Sequence, residues 1–407
     1  MLRKYQETAV EKMLWSMGIA GGSIVSLPTG SGKSHIIAEF TKRIGKPVLI
    51  FVPNRELLRQ DYEKLSAVVS SSEIGIYSAS LNQKEVKTYT LATIGSACKH
   101  PELFNHYTVV LIDECHNVNP KNLTGMYNKF FRAIGSPKVI GLSATPFRLA
   151  SFYRATGKHW QPWETVTTTK ILTRFKERFW TSFIAVINTQ ELMDKKYLCP
   201  IVYEDKSFYY HEQLATNKSA SDFDLEAFEE LIGDKEPFIA QHIVEASKKH
   251  KSILAFTSSV SQAERLSRAI TGACVVSAET PSKERDTIIT GFKNGNIKVV
   301  FNVNCLTNGF DHPSLDAIYM IRPTKSVNLY CQMVGRLTRN APGKDHGTLY
   351  DFSGNLRSIG TLESVKMVRV NNLWNVITDN HPNGLHNVEL YTYTPRPKSQ
   401  KEEYVNH

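Results

Sequence analysis

Short apolar runs alternate with stretches of helical period along most of the chain. The runs lie at residues 23–27, 48–52, 108–112 and 138–142, and again at 252–256, 274–276, 298–302 and 317–321. Each is β-branched or aliphatic, and each leads into loop residues. Apolar runs without alternation read as strands buried on both faces of a parallel sheet, with the helical stretches as crossovers. Two blocks of such runs predict an α/β fold of two parallel-sheet domains in tandem. No repeat with a period of about 20–50 residues competes with this reading.

The stretch between the two blocks differs. Residues 147–180 hold seven Lys or Arg, two Glu and eight aromatics, with Trp160, Trp163 and Trp180 among them. Basic residues interleaved with aromatics suit a stacking platform or a strand-separating wedge, with a small helical subdomain as the structural alternative. Here Arg148, Lys158, Arg174, Lys176 and Arg178 would grip a phosphate backbone, and Trp160, Trp163 or Trp180 would stack on an end base pair. The polar stretch 216–222 reads as a flexible loop, and 394–403 as a disordered tail.

Two segments carry chemistry. The first predicted strand runs into Pro28-Thr29-Gly30-Ser31-Gly32-Lys33-Ser34 and then into a helical pattern. Glycines let backbone N–H groups curl around phosphate oxygens, and the helix N-terminus favours an anion. Lys33 is expected to reach the β- and γ-phosphates and the Ser34 hydroxyl to hold Mg²⁺. The first glycine of the general phosphate-loop pattern is replaced by Leu27, and Gly30 supplies the variant spacing. Further on, Val109-Val110-Leu111-Ile112 ends in Asp113-Glu114-Cys115-His116. A buried strand delivers both carboxylates at its carboxyl edge, where α/β folds place ligands. Asp113 would bind Mg²⁺ and Glu114 would orient and activate an attacking water. Near the start, Tyr5 would stack beside a base and Gln6 would read the adenine edge.

Composition narrows the class. Of 407 residues, 41% are hydrophobic and 22% charged, which suits a soluble globular chain of more than one domain. No apolar run approaches the ~18–20 residues that a membrane helix needs, and the first residues lack the apolar stretch of a signal peptide. The expected compartment is the cytoplasm, that of the host if the gene is phage-borne. A net charge of +10 favours polyanionic partners. None of the six cysteines forms a CxxC pair, so no zinc is expected.

Taken in order, Tyr5-Gln6, residues 28–34, Val52-Pro53-Asn54-Arg55-Glu56-Leu57, Asp113–His116 and Ser143-Ala144-Thr145-Pro146 resemble the superfamily 2 DExH-box helicases. Thr307-Asn308-Gly309-Phe310-Asp311 and Gln332-Met333-Val334-Gly335-Arg336-Leu337-Thr338-Arg339 extend the resemblance through the second half. Tyr350-Asp351-Phe352-Ser353-Gly354-Asn355 resembles RadD-like helicases, and the compact length is similar to bacteriophage branch-migration helicases of the UvsW-like kind. The cysteine cluster of RadD proteins is missing. The resemblance implies two RecA-like domains clamping one ATP. Domain boundaries follow as 1–147, a basic and aromatic insert at 148–190, a second domain at 191–357 and an extension at 358–407.

The resemblance also implies roles. Thr29, Gly30, Ser31, Gly32, Lys33, Ser34, Gly309, Asp311 and Gln332 would line the nucleotide, and Arg336 and Arg339 would act as arginine fingers on one face of a helix starting near Ser326. His116 would pair with Gln332 across the cleft, with Ser143 and Thr145 sensing the Asp113–His116 loop. Arg55, Thr93, Ser258 and Thr307 would hold nucleic-acid phosphates. The expected cofactors are ATP and Mg²⁺. The expected partner is DNA, single-stranded, forked or junction, without a membrane, and the motor can act as a monomer. Three other functions fit the same motifs: an RNA helicase, the motor subunit of a restriction system, and a nucleotide sensor that no longer hydrolyses.

Overall fold

A computed structural model describes residues 2–119, 124–158, 161–175, 179–219, 221–306, 309–382 and 384–385, with the backbone alone at 151–158 and 161–167. The predicted runs become strands of two sheets, all internal except Cys274–Val276 at an edge. The first has the order Trp180–Val186, Gly22–Ser26, Lys138–Ser143, Val109–Asp113, Val48–Phe51, Tyr89–Ala92, Ile74–Ser78 and Gln83–Lys84. All neighbours are parallel except the last pair. The second has the order Ile201–Asp205, Gly347–Asp351, Ala317–Ile321, Ile253–Thr257, Val299–Asn302 and Cys274–Val276, parallel throughout.

Burial explains why these strands lack alternation. Val48 and Ile50 enter one apolar cluster with the helix Lys33–Ile44, while Leu49 and Phe51 enter another on the opposite face with Phe104 and Phe130. Both faces are covered by crossover segments, so successive residues must all be apolar. The second sheet repeats this: Leu254 and Phe256 face one cluster, and Ile253 and Ala255 the other.

The region expected as a separate insert divides in two. Phe147–Lys158 and Gln161–Ile171 form an antiparallel ribbon rather than helices. Its base, Phe147 and Ile171, is buried with the second domain's core. Trp180–Val186 instead pairs with Gly22–Ser26 as the edge strand of the first sheet. The boundary placed at residue 190 therefore cuts off a strand that belongs to the first domain. Residues 366–377 add a second ribbon, Lys366–Val370 with Leu373–Ile377. It ties the domains together: the Met367 N–H donates to Asn188 Oδ1 at 3.0 Å, and Arg174 Nη2 donates to Asn375 Oδ1 at 3.1 Å. The loop read as flexible at 216–222 is pinned instead, because Asp222 accepts from the Lys325 N–H at 2.7 Å and the Thr324 hydroxyl at 3.0 Å. The tail at 394–403 lies outside the described residues.

Candidate nucleotide site and interdomain cleft

The phosphate loop leaves the strand Gly22–Ser26 and closes into the helix Lys33–Ile44, whose N-cap is Gly32. Gly30 and Gly32 have φ of +82° and +80°, a conformation that side chains disfavour. The loop is held from the first helix, Lys4–Trp15. Tyr5 donates to the Ser31 carbonyl at 2.6 Å, and the Gln6 amide donates to the same oxygen at 2.9 Å. Both residues expected at the base are thus spent, in this conformation, on shaping the loop.

The buried strand Val109–Asp113 delivers the carboxylates as predicted, and Glu114 follows with φ of +51°. Lys33 Nζ pairs directly with Glu114 Oε1. Burial opposes the charge of both groups, yet each holds its partner ionised: Lys33 lies above its ordinary value and Glu114 below the usual carboxylate range. Asp113 goes the other way. Burial, with the Glu114 charge adding to it, raises it to about 6 against the pull of Lys33.

The loop and strand end leave acceptors unused. Ser31 Oγ and Asp113 Oδ1 are buried without a hydrogen-bond partner among the described residues. Unpaired buried acceptors are costly. They fit a site for a hydrated cation beside phosphate, where Ser34 and Asp113 would be the metal-side ligands. A third carboxylate escaped the sequence reading. Asp61 sits on the helix Arg55–Ser66 at 1% exposure. The signal was present: Leu58, Asp61, Tyr62 and Leu65 follow the i, i+3, i+4, i+7 spacing of a buried stripe, so a carboxylate occupies an apolar position.

The second domain reaches the loop. Thr338 Oγ1 lies 3.2 Å from the Thr29 carbonyl and donates to it. Gly335 packs on Thr29 so closely that a Cβ there would stand 2.8 Å from Thr29 Cβ. A Cβ built on Gly30 would lie 3.6 Å from Arg339 Cγ. The helix behind these residues, Val327–Val334, is capped by Ser326, whose side chain accepts from the Leu329 N–H at 3.2 Å. It stops earlier than expected. The Arg336 and Leu337 N–H groups bond to Met333 and Val334, three residues back, so Arg336 lies in a tight turn beyond the helix, Arg339 follows that turn, and neither is on the helix face. Arg336 Nη1 donates to the Phe310 carbonyl, and Arg339 donates to the same oxygen at 3.1 Å and pairs with Asp311 at 2.8 Å. Burial, then the like charge of Arg339, pulls Arg336 down to about 9.

Cross-domain bonds flank this contact. Gln332 Nε2 meets His116 Nε2 at 3.2 Å, while His116 Nδ1 meets Ser143 Oγ at 2.8 Å and Glu114 Oε2 at 3.3 Å. With Gln332 donating, the imidazole carries its proton on Nδ1, facing Ser143 and Glu114. Thr145 Oγ1 donates to Asn328 Oδ1 at 2.5 Å. Gly309 sits against the cap residue Asn54, and its carbonyl accepts from Gln60 at 2.9 Å.

Several residues expected on the nucleic-acid track are engaged elsewhere. Arg55 pairs with its neighbour Glu56 at 2.7 Å and reaches the second domain at Ser282, 3.1 Å away, and Asp286, 3.5 Å away. Thr93 precedes the short helix Ile94–Ala97 and donates to Ser96 Oγ at 2.9 Å. Ser258 is buried and bonds to Gln262 and the Ile321 carbonyl. Arg148 donates to the His116 carbonyl at 2.8 Å, which places it beside the coupling residues and not on a phosphate track. Arg174 is bound to Asn375, as above. Trp180 has 0% exposure and packs against Phe179, so it cannot stack on a base. Its ring fills a slot over Gly22 and Gly141, where a Cβ would come within 2.9 Å and 2.5 Å of ring carbons. Thr307, Trp160, Lys176 and Arg178, and the side chains of Trp163 and Lys158, lie outside the described residues.

Two tandem parallel-sheet domains bring a phosphate loop against a Gln-Gly-Arg segment, and in this arrangement the chain is similar to the superfamily 2 helicases. The family described as type III restriction enzyme, res subunit matches residues 1–148, and the helicase conserved C-terminal domain matches residues 234–341. The chain is 28% identical over 398 residues to a putative ATP-dependent helicase, IRC3, of Saccharomyces cerevisiae, covering 91% of this chain and 54% of that protein. It thus spans little more than half the length of this relative. It is 25% identical to the DNA 3'-5' translocase XPB2 of Sulfurisphaera tokodaii, covering 83% of this chain and 78% of that one. A fragment of a putative HsdR subunit of a type I restriction enzyme from Vibrio vulnificus shares the fold, with a TM-score of 0.63, 17% identity, and 88% and 65% of the two chains covered. Among the described residues, no helix is long and apolar enough to cross a membrane.

Proposed function

We propose that the protein is an ATP-driven translocase that moves on DNA, with Mg²⁺ bound to the nucleotide. The observation that carries the reading is the seating of Gly335, Thr338 and Arg339 on Thr29 and Gly30. A triphosphate on the loop would lie between Lys33 of one domain and the arginines of the other. The loop N–H groups and Lys33 hold its phosphates, and Ser34 and Asp113 hold the metal, which supplies positive charge to the phosphate oxygens. Phosphate competes for Lys33 and so frees Glu114, which then positions a water. The desolvated guanidiniums of Arg336 and Arg339 exchange the Phe310 carbonyl for the charge that develops on the phosphoryl group. His116, Gln332, Thr145 and Asn328 carry the state of the nucleotide from one domain to the other.

DNA as the track is supported by the net charge of +10 and by what the archaeal relative is named for. The finer reading is action on forked or junction DNA in recombination, repair or replication, by unwinding or branch migration. We assign branch contact to the ribbon at residues 147–171. A restriction-system motor is the second reading, favoured by the fold shared with the HsdR fragment. Hydrolysis measured with single-stranded DNA, forked DNA, linear duplex and RNA separates these. The expected result is strongest stimulation by forked DNA. Stimulation by RNA alone overturns the DNA reading, and a duplex-only response favours the restriction motor.

A further inference from the structure

Asp61 is a carboxylate in a place where the fold supplies no counterpart for it. At 1% exposure it has lost its water, and neither oxygen meets a protein donor in good hydrogen-bond geometry. The groups around it are those of the nucleotide site: Asp113, Ser34, Lys33 and Glu114. Burial, then the Asp113 carboxylate, disfavours its charge; Ser34 and Lys33 ease it less, and Lys33 is already paired with Glu114. An aspartate sealed inside a helix packing stripe, with neither oxygen in a well-formed hydrogen bond, is costly unless something donates to it. Ser34 has a single proton to give. Asp113, one of these neighbours, likewise has a buried oxygen without a hydrogen-bond partner among the described residues.

A hydrated divalent cation meets this need. Magnesium keeps several of its waters when it binds a nucleotide, and each water is a strong, polarised donor. Among the described residues, no group of three or more His, Cys, Asp or Glu is arranged to hold a metal directly. The carboxylate is thus suited to the outer shell. We propose that Asp61 is a positioning residue of the magnesium site, accepting hydrogen bonds from metal-bound water and so orienting the metal that Ser34 and Asp113 hold. The inference rests on the nucleotide-binding reading above. It adds a residue that lies on the crossover helix rather than in the phosphate loop or beside the Asp113–Glu114 pair. Outer-shell partners of this kind change metal affinity by about 10–100-fold when removed.

The test is the binding of a fluorescent ADP analogue to the whole protein, titrated with Mg²⁺ against an EDTA control. Asp61→Asn keeps the shape and removes the charge. It is expected to leave Mg²⁺-free nucleotide affinity equal or tighter, and to raise the Mg²⁺ concentration for half-maximal effect by about tenfold or more. Asp61→Leu, which removes both charge and acceptor, is expected to do at least as much. A folded variant of either kind with the wild-type Mg²⁺ dependence would overturn the inference. Loss of the fold in both, seen by circular dichroism, overturns it as well, because it marks Asp61 as a structural group. Failure of the wild-type protein to bind nucleotide is a different result: it removes the nucleotide reading itself.

Discussion

The side-chain amide of Gln332 stands 3.2 Å from the imidazole of His116, and the other imidazole nitrogen stands 3.3 Å from Glu114. One residue thus touches both the second domain and the carboxylate beside the phosphate loop. Movement of either domain relative to the other must alter the hydrogen bonds of this imidazole.

From that relationship, Gln332→Ala and His116→Ala are expected to leave basal hydrolysis nearly intact and to reduce its stimulation by DNA. The expected loss is about 5–150-fold, the span of a coupling energy of ~1–3 kcal/mol. The double variant is expected to be no worse than the poorer single variant, because both remove one link. Hydrolysis rates with and without DNA check this, and additive losses would show that the two residues act separately.

Lys33→Ala and Glu114→Gln are expected to differ in binding while agreeing in rate. Lys33→Ala removes the ammonium that meets phosphate and leaves Glu114 buried without its partner, so nucleotide binding fails. Glu114→Gln keeps Lys33 and is expected to bind nucleotide while turnover falls by about 10²–10⁴-fold, the usual contribution of a positioned base. Arg336→Ala is expected to lower turnover by about 10³–10⁵-fold. Equilibrium nucleotide binding and single-turnover hydrolysis separate these effects. Normal turnover in both Lys33→Ala and Glu114→Gln would remove the assignment.

Most of the two-sheet fold, with its phosphate loop, was legible in the sequence alone. The strand Val48–Phe51 and residues 109–112 of the strand Val109–Asp113 are fully buried, so no polar residue blurs the pattern until the carboxylate at the strand end. The loop at residues 28–34 was legible because backbone geometry demands glycine there. The region after Phe147 was misread for a physical reason. Basic and aromatic content describes a surface only if the side chains reach solvent, and Trp180, Arg148 and Arg174 do other work. The slot that receives Trp180 is made by Gly22 and Gly141, on other strands and far off in sequence, so nothing near residue 180 announces it. Asp61 was missed because a single acidic residue on a helix is read as solvated by default.

Trp180→Ala is expected to destabilise the first domain by about 3–5 kcal/mol, the cost of emptying a large aromatic site. Folded protein carrying the change is expected to bind DNA as the wild type does. Urea unfolding and DNA titration at one salt concentration measure the two effects. Weaker DNA binding at unchanged stability would return Trp180 to the nucleic-acid track.

The second domain is expected to lose stability in acid. His312 is buried against Phe292, with ring centroids 5.0 Å apart, and burial, aided by Lys293 and Lys344, lowers it to about 4. Its folded value lies below the ~6.5 of an unfolded chain, so the unfolded chain binds the proton more readily. The contribution is complete above pH ~6.5 and fades as pH falls through about 4. Urea unfolding across this window is expected to show the decline, and His312→Gln to flatten it. An unchanged slope in that variant would assign the decline to other groups.

At residue 335 a hydrogen stands where every other amino acid carries carbon, and Thr29 occupies the room this leaves. The contact acts as a spacer of zero thickness between the two domains. A single methyl there would meet the Cys331 carbonyl at 2.6 Å as well as Thr29 Cβ at 2.8 Å, so it would act as a shim on two sides, shifting the turn that carries the arginines and setting the halves a fraction of an ångström too far apart to share one phosphate.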